Sequence, residues 1–133
     1  MVLTMGLPLI LLAIFLIFTL SCAKKEEPIN KNLIYFKTSF LSELGNDDYE
    51  KLLSKTKLEI KAQYIDDLII INKYVESNAC GKYAGNIRIK NNKIFLIYKL
   101  VSDEVCTSTG VERVTYIINN PTEKKYKFAL QYE

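Results

Sequence analysis

Residues 33–133 predict an α+β domain dominated by antiparallel strands, a curled sheet or sandwich of hairpins with one short helix near its N-terminal end. Three observations carry this expectation. From Thr56 onward the chain is rich in Ile, Val, Tyr and Phe and shows no helical period long enough to build on. Asn and Asp pairs with turn chemistry punctuate that stretch at Asp66-Asp67, Asn91-Asn92 and Asn119-Asn120. Helix-start chemistry occurs once, where Asn46 precedes Asp47, Asp48 and Glu50. The chain has 133 residues and its first charged side chain is Lys24, so an uncharged leader precedes about 110 residues, the size of one ordinary domain.

The elements follow in order. Pro28 to Asn32 is polar and ends a linker, and Leu33-Ile34-Tyr35-Phe36 opens the first strand. Asn46 then caps a helix with Asp47, Asp48 and Glu50 in its first turn, Tyr49, Leu52 and Leu53 facing inward, and Lys55 and Lys57 in its last turn, signs that suit the helix dipole at both ends. Asp67–Cys80 aligns without gaps to Lys93–Cys106, with identities at Ile71/Ile97, Lys73/Lys99, Val75/Val101 and Cys80/Cys106. With a three-residue gap the match extends upstream to Leu58–Lys61 against Ile87–Lys90. Each unit reads strand, turn, strand, Cys, so the expectation is two duplicated hairpins in one sheet. Asn91-Asn92 forms the tight turn of the second, and the looser Asp66-Asp67 segment that of the first. A third hairpin is expected from Val111 to Tyr132, turning at Asn119–Thr122, with Tyr126, Phe128, Leu130 and Tyr132 on one face and Lys127 and Gln131 on the other. Ile94 to Val101 is apolar on both faces, which predicts a central strand covered on each side.

The leader is Met1 to Leu20, with an apolar run from Leu7 to Phe18 followed after Thr19-Leu20 by Ser21-Cys22. A run of that length fits the apolar region of a signal peptide, about 7–15 residues, better than a span, which needs about 20. Leu20-Ser21-Cys22 resembles the lipobox of bacterial lipoproteins, in which the Cys is lipidated and becomes the new N-terminus. Lys25-Glu26-Glu27, just beyond it, looks like the lipoprotein export signal of Bacteroidota. The resemblance implies a signal peptide at 1–21, a lipidated tether at 22–32 and a single β-rich domain at 33–133. It also implies an outer-membrane protein of a Gram-negative cell, displayed at the surface. Diacylglycerol plus an N-acyl chain such as palmitate at Cys22 would hold it, at about 0.8 kcal/mol per buried CH₂.

With Cys22 assigned to lipid, Cys80 and Cys106 are an even pair in an exported chain, and a disulfide is the economical reading. Two Cys without His or CxxC spacing make a poor metal site, so neither a metal nor a cofactor is expected. The chain has no His, which disfavours general-base chemistry near neutral pH, and it shows no nucleophile elbow. The expectation is therefore a non-enzyme. A net charge of +3 in mixed-sign sequence gives no nucleic-acid signature. The turn-rich segment Asn78–Asn86 presents Lys82 and Tyr83 between glycines and is a candidate contact loop for a protein or glycan partner; a structural crossover with Tyr83 packed inward is the competing reading. Together these features predict a lipid-anchored cell-envelope protein that binds or shields something, or, alternatively, an inhibitor or immunity protein against a toxin or hydrolase.

Overall fold

A computed structural model of the chain describes residues 26–133. Seven strands and one helix follow in the order β1 (Leu33–Glu43), α1 (Tyr49–Thr56), β2 (Ala62–Ile65), β3 (Leu68–Asn78), β4 (Tyr83–Lys90), β5 (Lys93–Leu100), β6 (Thr109–Asn119) and β7 (Lys127–Tyr132). They form a four-stranded sheet, β1-β6-β3-β2, and a three-stranded sheet, β4-β5-β7. All pairs are antiparallel except β5 with β7, which is parallel. The fold is α+β, mainly antiparallel, with one short helix near its N-terminal end.

The core lies between the two sheets. Ile69, Ile71 and Val75 of β3 and Val114, Tyr116 and Ile118 of β6 meet Ile87 of β4 and Ile94, Leu96 and Tyr98 of β5. The inward residues recur at every second position, as the pleat requires. Burying each such side chain contributes about 1.5–3 kcal/mol before entropy is set against it. The Tyr116 hydroxyl crosses the core and donates to the Ile97 carbonyl at 2.7 Å, tying β6 over β5.

The helix starts later than its acidic run suggests. Asp48, not Asn46, sits at the N-cap position and makes no side-chain cap bond. Its carboxylate instead accepts from the buried Ser42 hydroxyl, while Asn46 accepts from Tyr49 N–H within a preceding turn. Tyr49 is buried and its hydroxyl lies 2.9 Å from Thr109 Oγ1.

Three pairings differ from the sequence reading. Both hairpins of the expected repeat form, but β2–β3 belongs to the four-stranded sheet and β4–β5 to the other, so they do not share one sheet. Leu58–Lys61 lies outside any strand, and the first hairpin uses Ala62–Ile65 with a two-residue turn as tight as the second. Asp66 has φ 49°, and Asn91 and Asn92 have φ 49° and 63°, the left-handed region that Asn and Asp tolerate best. The third hairpin does not form. β6 already carries β1 on one edge and β3 on the other, so β7 has no edge of β6 to join and crosses to β5. Asn120, 3% exposed, locks the crossing: its amide donates to Lys124 O at 3.0 Å and its carbonyl accepts from Lys124 N at 3.2 Å. Lys93–Leu100 is the central strand of its sheet, as its two apolar faces require.

Candidate binding groove

The two sheets meet most closely along the side where β1 faces β4. There Phe36 of β1 lies over Gly85 of β4, where an added Cβ would stand 2.0 Å from the ring. On the opposite side the four-stranded sheet ends in β2, only four residues long, and the three-stranded sheet ends in β7. Between them runs an open groove of about 650 Å³ whose walls include Leu58 and Ile60 on one side and Phe128, Leu130 and Tyr132 on the other.

Lys73 shapes this groove. It occupies an inward position of β3, beyond the reach of β2, and is only 7% exposed. Its ammonium donates to the carbonyls of Thr56 and Leu58, holding the helix end and the following turn beside β3. Burial holds its pKa below the usual lysine value. At the other end the Tyr64 hydroxyl accepts from Tyr126 N–H at 3.0 Å and donates to Tyr126 O at 3.5 Å, fastening β2 to the start of β7. The ammonium groups of Lys124 and Lys125 lie 5.3 Å and 3.6 Å from the ring centroids of Tyr126 and Tyr64. The groove walls are largely apolar, with Glu59, Lys73 and Lys127 among the residues that line them, and that mouth is basic.

A second polar feature lies inside the core. Glu112, 6% exposed, takes an inward position on β6 and accepts from the hydroxyl of Tyr98, itself 1% exposed. The ring of Tyr83 stacks on Tyr98 with centroids 4.3 Å apart. Burial pushes the Glu112 carboxyl above the ordinary glutamate range, against a smaller opposing effect of the Tyr98 hydrogen bond. The Tyr98 phenol is raised as well, first by burial and then by Glu112. Between the ordinary glutamate pKa and the raised folded value, the folded state holds a proton on Glu112 that the unfolded chain has released. The stability this confers is fully present below the ordinary glutamate pKa and is lost as pH rises through the folded value, with a slope of at most about 1.4 kcal/mol per pH unit. Denaturant midpoints of the wild type are expected to fall as pH rises above the ordinary glutamate range, and Glu112→Gln is expected to flatten that fall. Parallel pH profiles for the two proteins would contradict it.

Cys80 and Cys106 are joined in a disulfide, with Cα atoms 5.6 Å apart. Asn78 braces it: its Oδ1 accepts from Cys80 N–H and Cys106 N–H, both at 3.1 Å, and its amide donates to Cys106 O. Of the proposed contact loop, Lys82 is exposed, whereas Tyr83 packs inward on Tyr98 and its hydroxyl accepts from Asn78 N–H at 2.7 Å. That is the crossover role of Tyr83 rather than a presented aromatic. Ser102 spends its hydroxyl on the backbone, accepting from Lys82 N–H and donating to Glu104 O.

Cys22 and Lys25 lie outside the described residues. Glu26 and Glu27 are exposed, and the Glu27 carboxylate pairs with Arg88 at 3.1 Å. Pro28 O accepts from the Asn86 amide and Asn30 N–H donates to Asn86 Oδ1, so residues 27–30 lie against β4. Behind them Ile97, 2% exposed on the outer face of β5, is shielded.

Among the described residues no group of three or more Cys, Asp or Glu stands close enough to hold a metal ion, and no helix is long and apolar enough to cross a membrane. No family model, curated protein or solved structure matches this chain.

The groove was not legible as a site in the sequence. Tyr126, Phe128 and Leu130 alternate there as core residues would, and only the choice of β5 as partner for β7 turns their strand into an open wall.

Proposed function

We propose that this chain is a non-enzymatic, lipid-anchored cell-envelope protein whose disulfide-pinned sandwich binds a partner in the groove along β7. One observation carries the binding role: an open groove lined by Leu58, Ile60, Phe128, Leu130 and Tyr132 at the unclosed side of the sandwich. An apolar groove with a basic mouth is the kind of surface that partners cover. The anchor rests on the apolar leader that ends at Ser21-Cys22 and on Lys25-Glu26-Glu27 beyond it. The Cys80–Cys106 bond supports an oxidising compartment, where such bonds persist. Residues 27–30, the described end of the proposed tether, lie against β4, at the opposite edge of the three-stranded sheet from β7.

Cys22→Ala is expected to accumulate as a full-length precursor lacking acyl mass, and an inhibitor of lipoprotein signal peptidase is expected to reproduce that species with the wild type. Normal maturation of Cys22→Ala would retire the anchor.

A further inference from the structure

We infer that the groove takes an extended peptide segment, bound as a fourth strand along the free edge of β7. This rests on the binding role proposed above and adds the class of partner.

The backbone of β7 sets the mode. Lys127 N–H donates to Asn92 O at 3.1 Å; Glu133 N–H donates to Tyr98 O, and Glu133 O accepts from Leu100 N–H, both at 3.0 Å. In a parallel pair alternate residues of a strand face its neighbour, so the odd-numbered residues from 127 to 133 bond β5 and the even-numbered ones point away. At Tyr126 the outward groups are met by the Tyr64 hydroxyl. At Phe128, Leu130 and Tyr132, among the described residues, nothing meets them. Three N–H donors and three carbonyl acceptors are left in line, the template for strand addition.

The two sheets limit what can use that template. Their β1 and β4 edges are closed together at Phe36 and Gly85, so the surplus strand of the four-stranded sheet overhangs at the β7 side. Beside Phe128, Leu130 and Tyr132 the facing wall is the Thr56–Ile60 segment, which leaves the groove open along the β7 edge. A second copy pairing through its own β7 would bring two overhanging β2 strands against each other's sheets, so a single segment is the better occupant. The exposed stretch of β3 beyond β2 is a poorer template, because α1 and the Thr56–Leu58 carbonyls held by Lys73 run beside it.

Side chains set the sequence class. Every second residue of the added strand faces Leu58, Ile60 and Leu130 and must be apolar. The residues between share the outer face with Lys127, Ala129 and Gln131, where Lys127 carries an exposed ammonium group. Acidic residues complement it. The partner is thus an extended segment with apolar residues at period two and Asp or Glu interleaved.

The test pans a random dodecapeptide phage library on the full chain in detergent. Enriched peptides are expected to alternate apolar and acidic residues and to be lost on Leu130→Lys. A synthetic copy of the strongest, N-methylated at alternate residues along one edge, is expected to lose binding by roughly fivefold or more for each hydrogen bond removed, while the same change along the other edge leaves binding intact. This comparison uses wild-type protein and does not depend on how the variant folds. Enrichment at helical spacing, or equal tolerance of N-methylation on both edges, overturns strand addition; if such peptides still require Leu130, the groove remains a binding site. No enrichment overturns both. A concentration-dependent dimer abolished by Leu130→Lys would assign the edge to a second copy and also overturn the inference.

Discussion

Reducing the Cys80–Cys106 bond is expected to lower the unfolding free energy by about 3.5 kcal/mol, the chain-entropy value for a closed loop of this length. The bond spans 26 residues, and those residues contain the β4–β5 hairpin, two of the three strands in one sheet. Its feet stand on the other sheet: β3 and β6 pair as far as Asn78 and Thr109, and Ala79 N–H bonds Ser108 O beyond them. The disulfide therefore closes the excursion of the hairpin at its base and limits how far the two sheets separate in the unfolded ensemble. A small domain has about 5–15 kcal/mol in all, so the loss is a large share, on the order of 15 °C or more in Tm. Urea titration with and without reductant measures it, and the Cys80→Ser/Cys106→Ser protein should match the reduced wild type. A difference under about 1 kcal/mol would mean that the Asn78 hydrogen bonds hold this corner without the covalent link.

Gly85→Ala is expected to cost about 3 kcal/mol, at the upper end of what overpacking exacts. The new methyl carbon would stand 2.0 Å from Phe36 Cδ2 and 2.3 Å from its Cγ, so something must move. The ring has little room to yield. Its neighbour Tyr116 meets it edge-on with centroids 5.0 Å apart, and Tyr116 is fixed through its hydroxyl to Ile97 O. Relief comes only from parting β1 and β4, the side on which the sandwich is closed. Phe36→Ala removes the obstacle, so in the double mutant the two costs should fall well short of additivity. A Gly85→Ala protein within about 1 kcal/mol of wild type would show that this closure is loose.

Much of the fold could be read from local chemistry. Asn91-Asn92 names its own turn, Lys93–Leu100 names its central place through two apolar faces, and Cys80 and Cys106 name each other once Cys22 is set aside. What stayed hidden concerns partners. Alternation shows that Lys127–Tyr132 is a strand but not that β6 has both edges taken, so the pairing with β5 could not be foreseen. The first strand continues through Lys37, Thr38 and Ser39 to Glu43, because edge position lets polar side chains stand in a strand without cost. Asn46 resembles a cap but is outcompeted by the bond between Ser42 and Asp48. Glu112 did leave a trace: it falls in the same parity as Val114, Tyr116 and Ile118, a charged residue in an inward register. Gly85 left none, since the need for its missing side chain lies with Phe36, distant in sequence.

The edge of β7 is where fold and function meet, and hydrogen exchange on the full chain without partner tests it most directly. Alternation is expected along the strand: Ala129, Gln131 and Glu133 amides protected by β5, and Phe128, Leu130 and Tyr132 amides exchanging almost as fast as in a free peptide. Uniform protection across all six would mean that the edge is already covered, and would contradict this alternation.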